Sequence, residues 1–220
     1  MEHIRRNFDV ELNELRIQVE VMAIRVDESV RMALEVIDTG DREIASRLVA
    51  ADDEIDEMHT SLTARCYDLL VRESPVASDF RLVVSVITVL SSLERVGDLC
   101  LRIAKQVDEI DLVRTHPALF AVLHELAISV RVRFTAVQSA WASRDLSLLL
   151  AAADPGSDNY ADPLLGRILE LEGPDAVRVA VSAFAIGRAL DRIGDHSRVM
   201  SARLQYMVTG DPVHLAEEIA

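Results

Sequence analysis

Apolar residues recur at steps of three and four through most of the chain, which is the spacing that lines one face of an α-helix. The first run extends from Leu12 to Ile37 and predicts one long amphipathic helix that begins near Phe8. Gly40 then favours a helix end, and Asp41 is suited to cap the N-terminus of the next helix. The pattern therefore predicts a helical hairpin at the start of the chain.

Comparable runs continue to the end of the sequence. The signals that separate them are Ser74-Pro75, His116-Pro117, Gly173-Pro174 and Gly210-Asp211-Pro212. Pro155 and Pro163 interrupt the fifth region, residues 145–172, which should therefore form two or three shorter pieces. No stretch alternates convincingly with a period of two, so nothing indicates a sheet. We predict an all-α protein, a tandem repeat of two three-helix units (residues 1–112 and 113–220) that form a six-helix bundle.

A six-residue pattern occurs in the third predicted helix and again in the sixth. Positions 93–98 read Leu-Glu-Arg-Val-Gly-Asp, and positions 190–195 read Leu-Asp-Arg-Ile-Gly-Asp. Each copy places two carboxylates at i and i+4 on one helix face, which destabilises a helix by roughly 0.2–0.5 kcal/mol. The interior glycine adds about 0.8–1 kcal/mol relative to alanine. Because the chain accepts both costs twice, the pattern indicates a function.

Acidic pairs at this spacing occur at four equivalent places in the two halves. They are Glu94/Asp98, Asp191/Asp195, Asp52/Asp56 and Asp154/Asp158. Oxygen ligands suit hard divalent cations, so the pairs are candidate ligands for magnesium or manganese, with iron or zinc as further options. The competing interpretations are salt bridges to Arg95, Arg102, Arg192 and Arg198, an N-cap role for Asp154, a solvated face at Asp52/Asp56, and glycines that permit close helix packing.

The basic residues beside the two motif copies differ. Arg102 lies four residues after Asp98, where it can form a helical salt bridge, whereas Val199 occupies the matching position in the second copy. We therefore expect weak divalent binding that is stronger at Asp191/Asp195, unless Arg188 or Arg198 neutralises that pair.

The overall charge makes two classes of binding partner unfavourable. The 220 residues carry a formal net charge of −14, which disfavours binding to nucleic acid or to an anionic membrane. The longest apolar run, around residues 82–93, is too short to span a bilayer, and the first residues show no signal peptide. Cys66 and Cys100 fit no metal-ligand spacing and are expected to be buried thiols. We expect a cytoplasmic protein without direct membrane insertion.

The doubled motif resembles that of the PhoU family of phosphate-uptake regulators. The similarity extends to Asp52-x-x-Ile55-Asp56 and to Pro75-Val76-Ala77-Ser78-Asp79-Phe80-Arg81, and it covers the chain from about Phe8 to Gly210. The resemblance implies a non-enzymatic negative regulator of the phosphate-starvation response. Its partners would be the ATPase subunit of a phosphate ABC transporter and a sensor histidine kinase, with a homodimer as an option. The alternative is a metal-dependent hydrolase that uses the carboxylate clusters on phosphorylated substrates.

Overall fold

A computed structural model describes residues 2–73, 77–152 and 161–218 of the chain, and the predicted all-α fold is confirmed there, with no β-strand in these ranges. The helices are α1 (Glu2–Thr39), α2 (Arg42–Glu73), α3 (Ala77–Ala104), α4 (Val107–Arg114), α5 (Pro117–Ser143), α6 (Ser147–Ala152), α7 (Ala161–Leu169) and α8 (Ala176–Thr209). A final 3-10 helix covers Pro212–Glu218.

The predicted helix ends between α1 and α2 are confirmed in atomic detail. Gly40 has φ +69°, a conformation that favours glycine, and its N–H donates to the Val36 carbonyl at 2.8 Å. Asp41 Oδ1 accepts hydrogen bonds from the N–H groups of Glu43 at 2.7 Å and Ile44 at 3.2 Å. Together these contacts satisfy backbone groups that a helix end otherwise leaves unpaired.

The long helices α3 and α8 lie at the centre of the bundle, where they pack against each other, and α1, α2 and α5 pack around them. Two ion pairs join α1 to α5, one of them partly buried and the other more exposed. The Arg131 guanidinium donates to both carboxylate oxygens of Asp27, and His124 Nε2 lies 3.3 Å from Asp38 Oδ1. Because residue numbers rise along α1 as they fall along α5 in these pairs, the two helices are antiparallel.

A short helix that the sequence did not predict follows α3, whereas the division of the fifth region into shorter pieces is as predicted. The short helix α4 lies between α3 and α5, and the interrupted fifth region contains α6 and α7. The predicted stop and start at Ser74-Pro75 lies outside the described residues, as does Pro155. Helix α4 runs across residues 112 and 113, and the division of the chain into two units at that point stays a prediction.

The two cysteines are buried and free, as expected from their spacing. Burial raises the pKa of the Cys66 thiol to about 12 and also raises that of Cys100. Neither thiol is therefore ionised near neutral pH. Among the helices of the described ranges, none is long and apolar enough to cross a membrane.

Candidate carboxylate sites

The first motif copy brings carboxylates from two helices together. Asp98 on α3 and Asp56 on α2 are close enough to Asp52 for their charges to act on it. The pKa of Asp52 is raised, chiefly by burial and then by repulsion from Asp56 and Asp98, while Lys105 opposes the shift. Burial and neighbouring carboxylates therefore both disfavour the charged form of Asp52.

Gly97 allows the close approach of α2 and α3 at this point. A methyl group added to its Cα would lie 3.3 Å from Ile55 Cδ1 and 3.8 Å from Asp52 Oδ1. The interpretation of this glycine as a packing residue is thus confirmed, because a side chain here would crowd Ile55 on α2.

Arg95 supplies positive charge within the first copy. Its Nη1 lies 3.2 Å from Asp98 Oδ2, and its Nε lies 3.5 Å from Glu94 Oε2. The predicted helical salt bridge from Asp98 to Arg102 is wrong, because Asp98 pairs with the residue three positions before it. Arg95 is the guanidinium that pairs with Glu94 and Asp98, and Asp52 and Asp56 add two further carboxylates, so the cluster keeps a net negative charge.

The second motif copy is surrounded by arginines. Arg188 Nη1 lies 2.5 Å from Asp191 Oδ2, and Arg198 Nη2 pairs with Asp195 Oδ1. The predicted alternative of neutralisation by these two arginines is confirmed. A third guanidinium, that of Arg133 on α5, lines the same surface pocket as Asp191 and Asp195.

Arg133 was not singled out from the sequence. A methyl group added to Gly194 would lie 3.5 Å from Arg133 Nη1 and 4.0 Å from Val130 Cγ2, so the pocket opposite the motif is formed by α5. A sequence signal for this residue is its position next to Phe134, which is buried in the core face of α5. Asp154 and Asp158, the predicted opposing pair, lie outside the described residues.

The two motif copies lie next to each other on the central helices. The positive charge of Arg95 on α3 reaches His196 on α8. The pKa of His196 is lowered, mainly by burial and next by Arg192, with a further contribution from Arg95 and an opposing one from Asp195. The repeated sequence thus produces adjacent sites on neighbouring helices.

The arrangement of the carboxylates decides whether they can hold a metal ion. Within residues 2–73, 77–152 and 161–218, no three His, Cys, Asp or Glu side chains are arranged to hold a metal ion. The oxygen-rich first copy has suitable ligand chemistry, but its side chains would have to converge further. In the second copy Asp191 and Asp195 are already paired with guanidinium groups, which leaves less charge for a cation.

Comparison with known proteins finds the same family that the doubled motif resembles. The family model described as the PhoU domain matches residues 19–107. A phosphate-specific transport system accessory protein PhoU homolog from Pseudomonas putida is 28% identical over 96% of this chain and 84% of its own length. The crystal structure of PhoU from Pseudomonas aeruginosa has a TM-score of 0.84 with 27% identity, and it aligns over 93% of this chain and 100% of that one.

A second crystal structure, that of the phosphate transport system regulatory protein PhoU from Streptococcus pneumoniae, has a TM-score of 0.79 with 26% identity over 93% of this chain and 98% of that one. The fold and its sites define a class of all-α bundles that carry an acidic, glycine-containing helical motif in two copies. The chain is similar to PhoU proteins over nearly its whole length, and its residues 19–107 match the PhoU domain.

Proposed function

We propose that this protein is a negative regulator of the phosphate-starvation response. It binds the ATPase subunit of a phosphate ABC transporter and a sensor histidine kinase in the cytoplasm, and it acts without a catalytic step of its own. The observation that carries the proposal is the similarity to named PhoU proteins over nearly the whole chain. Those relatives are named accessory proteins of phosphate-specific transport, which supports a role in the regulation of phosphate transport.

An exposed apolar stripe on α1 supports a function in protein binding. Val10, Ile17, Val21 and Ile24 follow one another at steps of seven, four and three, and each is between 44% and 59% exposed. An apolar stripe on an acidic surface suits a partner whose matching patch is apolar with a basic rim. We assign this stripe to the transporter ATPase subunit.

Deletion of the gene in its host tests the regulatory part of the proposal. We expect expression of phosphate-uptake genes to rise under high phosphate, because the signal that represses them is lost. Unchanged expression would contradict the proposal. Metal-dependent turnover of phosphate esters by the purified protein would instead support the alternative of a hydrolase.

A binding experiment tests the surface. In pull-downs with the transporter ATPase subunit, Ile17→Glu should reduce capture, since it places a charge in the centre of the stripe. Val49→Glu is the matched control, because Val49 is a similarly exposed residue on α2. Equal capture of both variants would remove the stripe from the interface, and failure of the unaltered protein to bind either the ATPase subunit or the kinase would remove the partners. Size measurements of the same protein report whether it also forms a homodimer.

Weak divalent binding is the remaining part of the proposal. The ligands are the first-copy carboxylates Asp52, Asp56, Glu94 and Asp98. Burial and the charges of Asp56 and Asp98 raise the pKa of Asp52, and a bound cation would stabilise the charged form of that side chain.

A further inference from the structure

One layer of the bundle carries an unusual set of polar side chains. An apolar pocket between α1, α3, α5 and α8 is lined by one residue or more from each helix, among them Val19, Val89, Trp141 and Met200. Residues three or four positions away on a helix share a face. One such step from each of these four pocket residues, towards the end of the bundle where α5 and α8 terminate, leads to a polar residue. These polar residues are Arg16, Ser85, Arg144 and Arg203.

The packing register of α1 and α5 supports this placement. Asp27 pairs with Arg131, and Arg16 lies eleven residues before the first of these while Arg144 lies thirteen residues after the second. Antiparallel helices rise equally per residue, so Arg16 and Arg144 come to the same level. Consistent with this, the charge of Arg144 acts on Arg16. Arg144 ends α5 in a left-handed conformation with φ +57°, which is uncommon for a residue other than glycine.

Arg81 extends the same positively charged region towards the end of the bundle. It lies near the start of α3, and its Cζ would be 3.3 Å from a methyl group on Gly210, just after α8. Helices α3 and α8 are therefore antiparallel, and α3 near Ser85 is level with α8 near Arg203. Arginines from three helices and from the end of a fourth surround this part of the bundle.

Several of these polar groups are buried without a partner. Ser85 is 0% exposed, and its hydroxyl makes no hydrogen bond. The Nε atoms of Arg16 and Arg81 are also buried without a hydrogen-bond acceptor. A buried donor left unsatisfied costs about 1–3 kcal/mol, and more when it is charged. These donors need a hydrogen-bond acceptor, which a bound anion can supply.

The charge balance points in the same direction. The chain has an excess of acidic residues, yet Arg16 forms no ion pair among the described residues. The pKa of Arg16 is lowered, first by burial and then by Arg144, and Asp79 offsets this only in part. The nearby acids Glu11 and Glu14 on α1 pair with Arg72 and Arg65 on α2 instead.

We propose that Arg16, Arg81 and Arg144, with the Ser85 hydroxyl, form a binding site for a phosphate group, either inorganic phosphate or a phosphate monoester. Guanidinium groups match the oxygens of a phosphate in geometry and charge, and a serine hydroxyl donates one further hydrogen bond. The anion removes the repulsion between arginines and supplies the missing acceptors. This inference goes beyond the proposed function and does not depend on it.

Thermal unfolding and calorimetry of the full chain test the site. In a phosphate-free buffer, titration with inorganic phosphate or with phosphoserine should raise Tm saturably, and the ligand that acts at lower concentration identifies the source. Potassium chloride at matched ionic strength should have no such effect. Arg16→Gln should weaken binding roughly tenfold or more, and Ser85→Ala should weaken it several-fold. Arg42→Gln, which removes an exposed ion-paired arginine, should bind normally.

A second readout separates binding from folding. Without ligand, Arg16→Gln should be at least as stable as the unaltered protein, because it removes a partly buried cation that forms no ion pair among the described residues. Arg16→Lys keeps the positive charge but loses the planar guanidinium with its paired N–H donors, so this variant should bind phosphate with intermediate affinity. A response to phosphate no greater than to chloride would overturn the proposal, and so would equal phosphate affinity in Arg16→Gln and Arg42→Gln.

Discussion

The two copies of the acidic motif have nearly the same sequence and opposite electrostatic surroundings. In the first copy, carboxylates from α2 face those of α3, and the pKa of Asp52 is raised. In the second copy, Asp191 and Asp195 pair with Arg188 and Arg198, and Arg133 lines the same pocket. The repeated motif therefore defines where its side chains lie on a helix, while the surrounding residues determine the charge of each site.

The largest expected difference concerns divalent cations. We predict that manganese binds the first copy roughly tenfold more tightly than the second, because guanidinium groups already neutralise the second. This reverses the order expected from Arg102 and Val199. Calorimetry with Glu94→Gln/Asp98→Asn and with Asp191→Asn/Asp195→Asn measures it. A larger loss in the second variant would contradict the comparison, and no binding in any protein would show that the carboxylates are structural.

The two motif glycines should respond differently to alanine. Alanine is favoured over glycine inside a helix by about 1 kcal/mol, and Gly194 has room for the added methyl, so Gly194→Ala should stabilise the protein by up to that amount. Gly97→Ala should gain little or lose stability, because its methyl would crowd Ile55. Urea unfolding of both variants tests this, and equal stabilisation would show that α2 can move aside.

A smaller effect is expected from Asp52. Since the folded-state pKa is raised, the folded protein binds a proton more readily than the unfolded chain, and stability is lost as pH rises above the unfolded value of 3.8. Asp52→Asn should therefore stabilise the protein, with a gain in Tm that grows from pH 4 to pH 7. Glu57→Gln is the matched control, because Glu57 is an exposed carboxylate on the same helix and is not among the charges that raise the pKa of Asp52. A gain independent of pH would refute the electrostatic explanation.

The smallest effect is expected at His196, where the copies meet. Its lowered pKa means that the unfolded chain binds the proton more readily, so stability should fall as pH drops below about 6.5. His196→Gln should flatten this part of the profile, whereas His59→Gln should not. The measurement is Tm between pH 5 and pH 8 at constant ionic strength, and parallel profiles for the two variants would remove His196 as the titrating group.

The sequence alone determined the elements and their faces. Apolar spacing placed the long helices, and Gly40 and Asp41 marked a boundary that depends only on local backbone chemistry. The acidic positions Glu94, Asp98 and Asp191 were equally visible, because helical spacing follows directly from residue number. The metal role of all eight acidic residues stays a prediction.

Only the tertiary structure decided which groups meet. Arg133 lies opposite Gly194 because α5, rather than the interrupted fifth region, forms that wall of the pocket. Asp98 pairs with Arg95 and not with Arg102, although both arginines lie within about one helical turn of it. Arg16 and Arg144 are far apart in the sequence and come level only through the antiparallel packing of their helices. Contacts between helices depend on register and rotation, which arise from the packing of the whole core and leave no local signal in the chain.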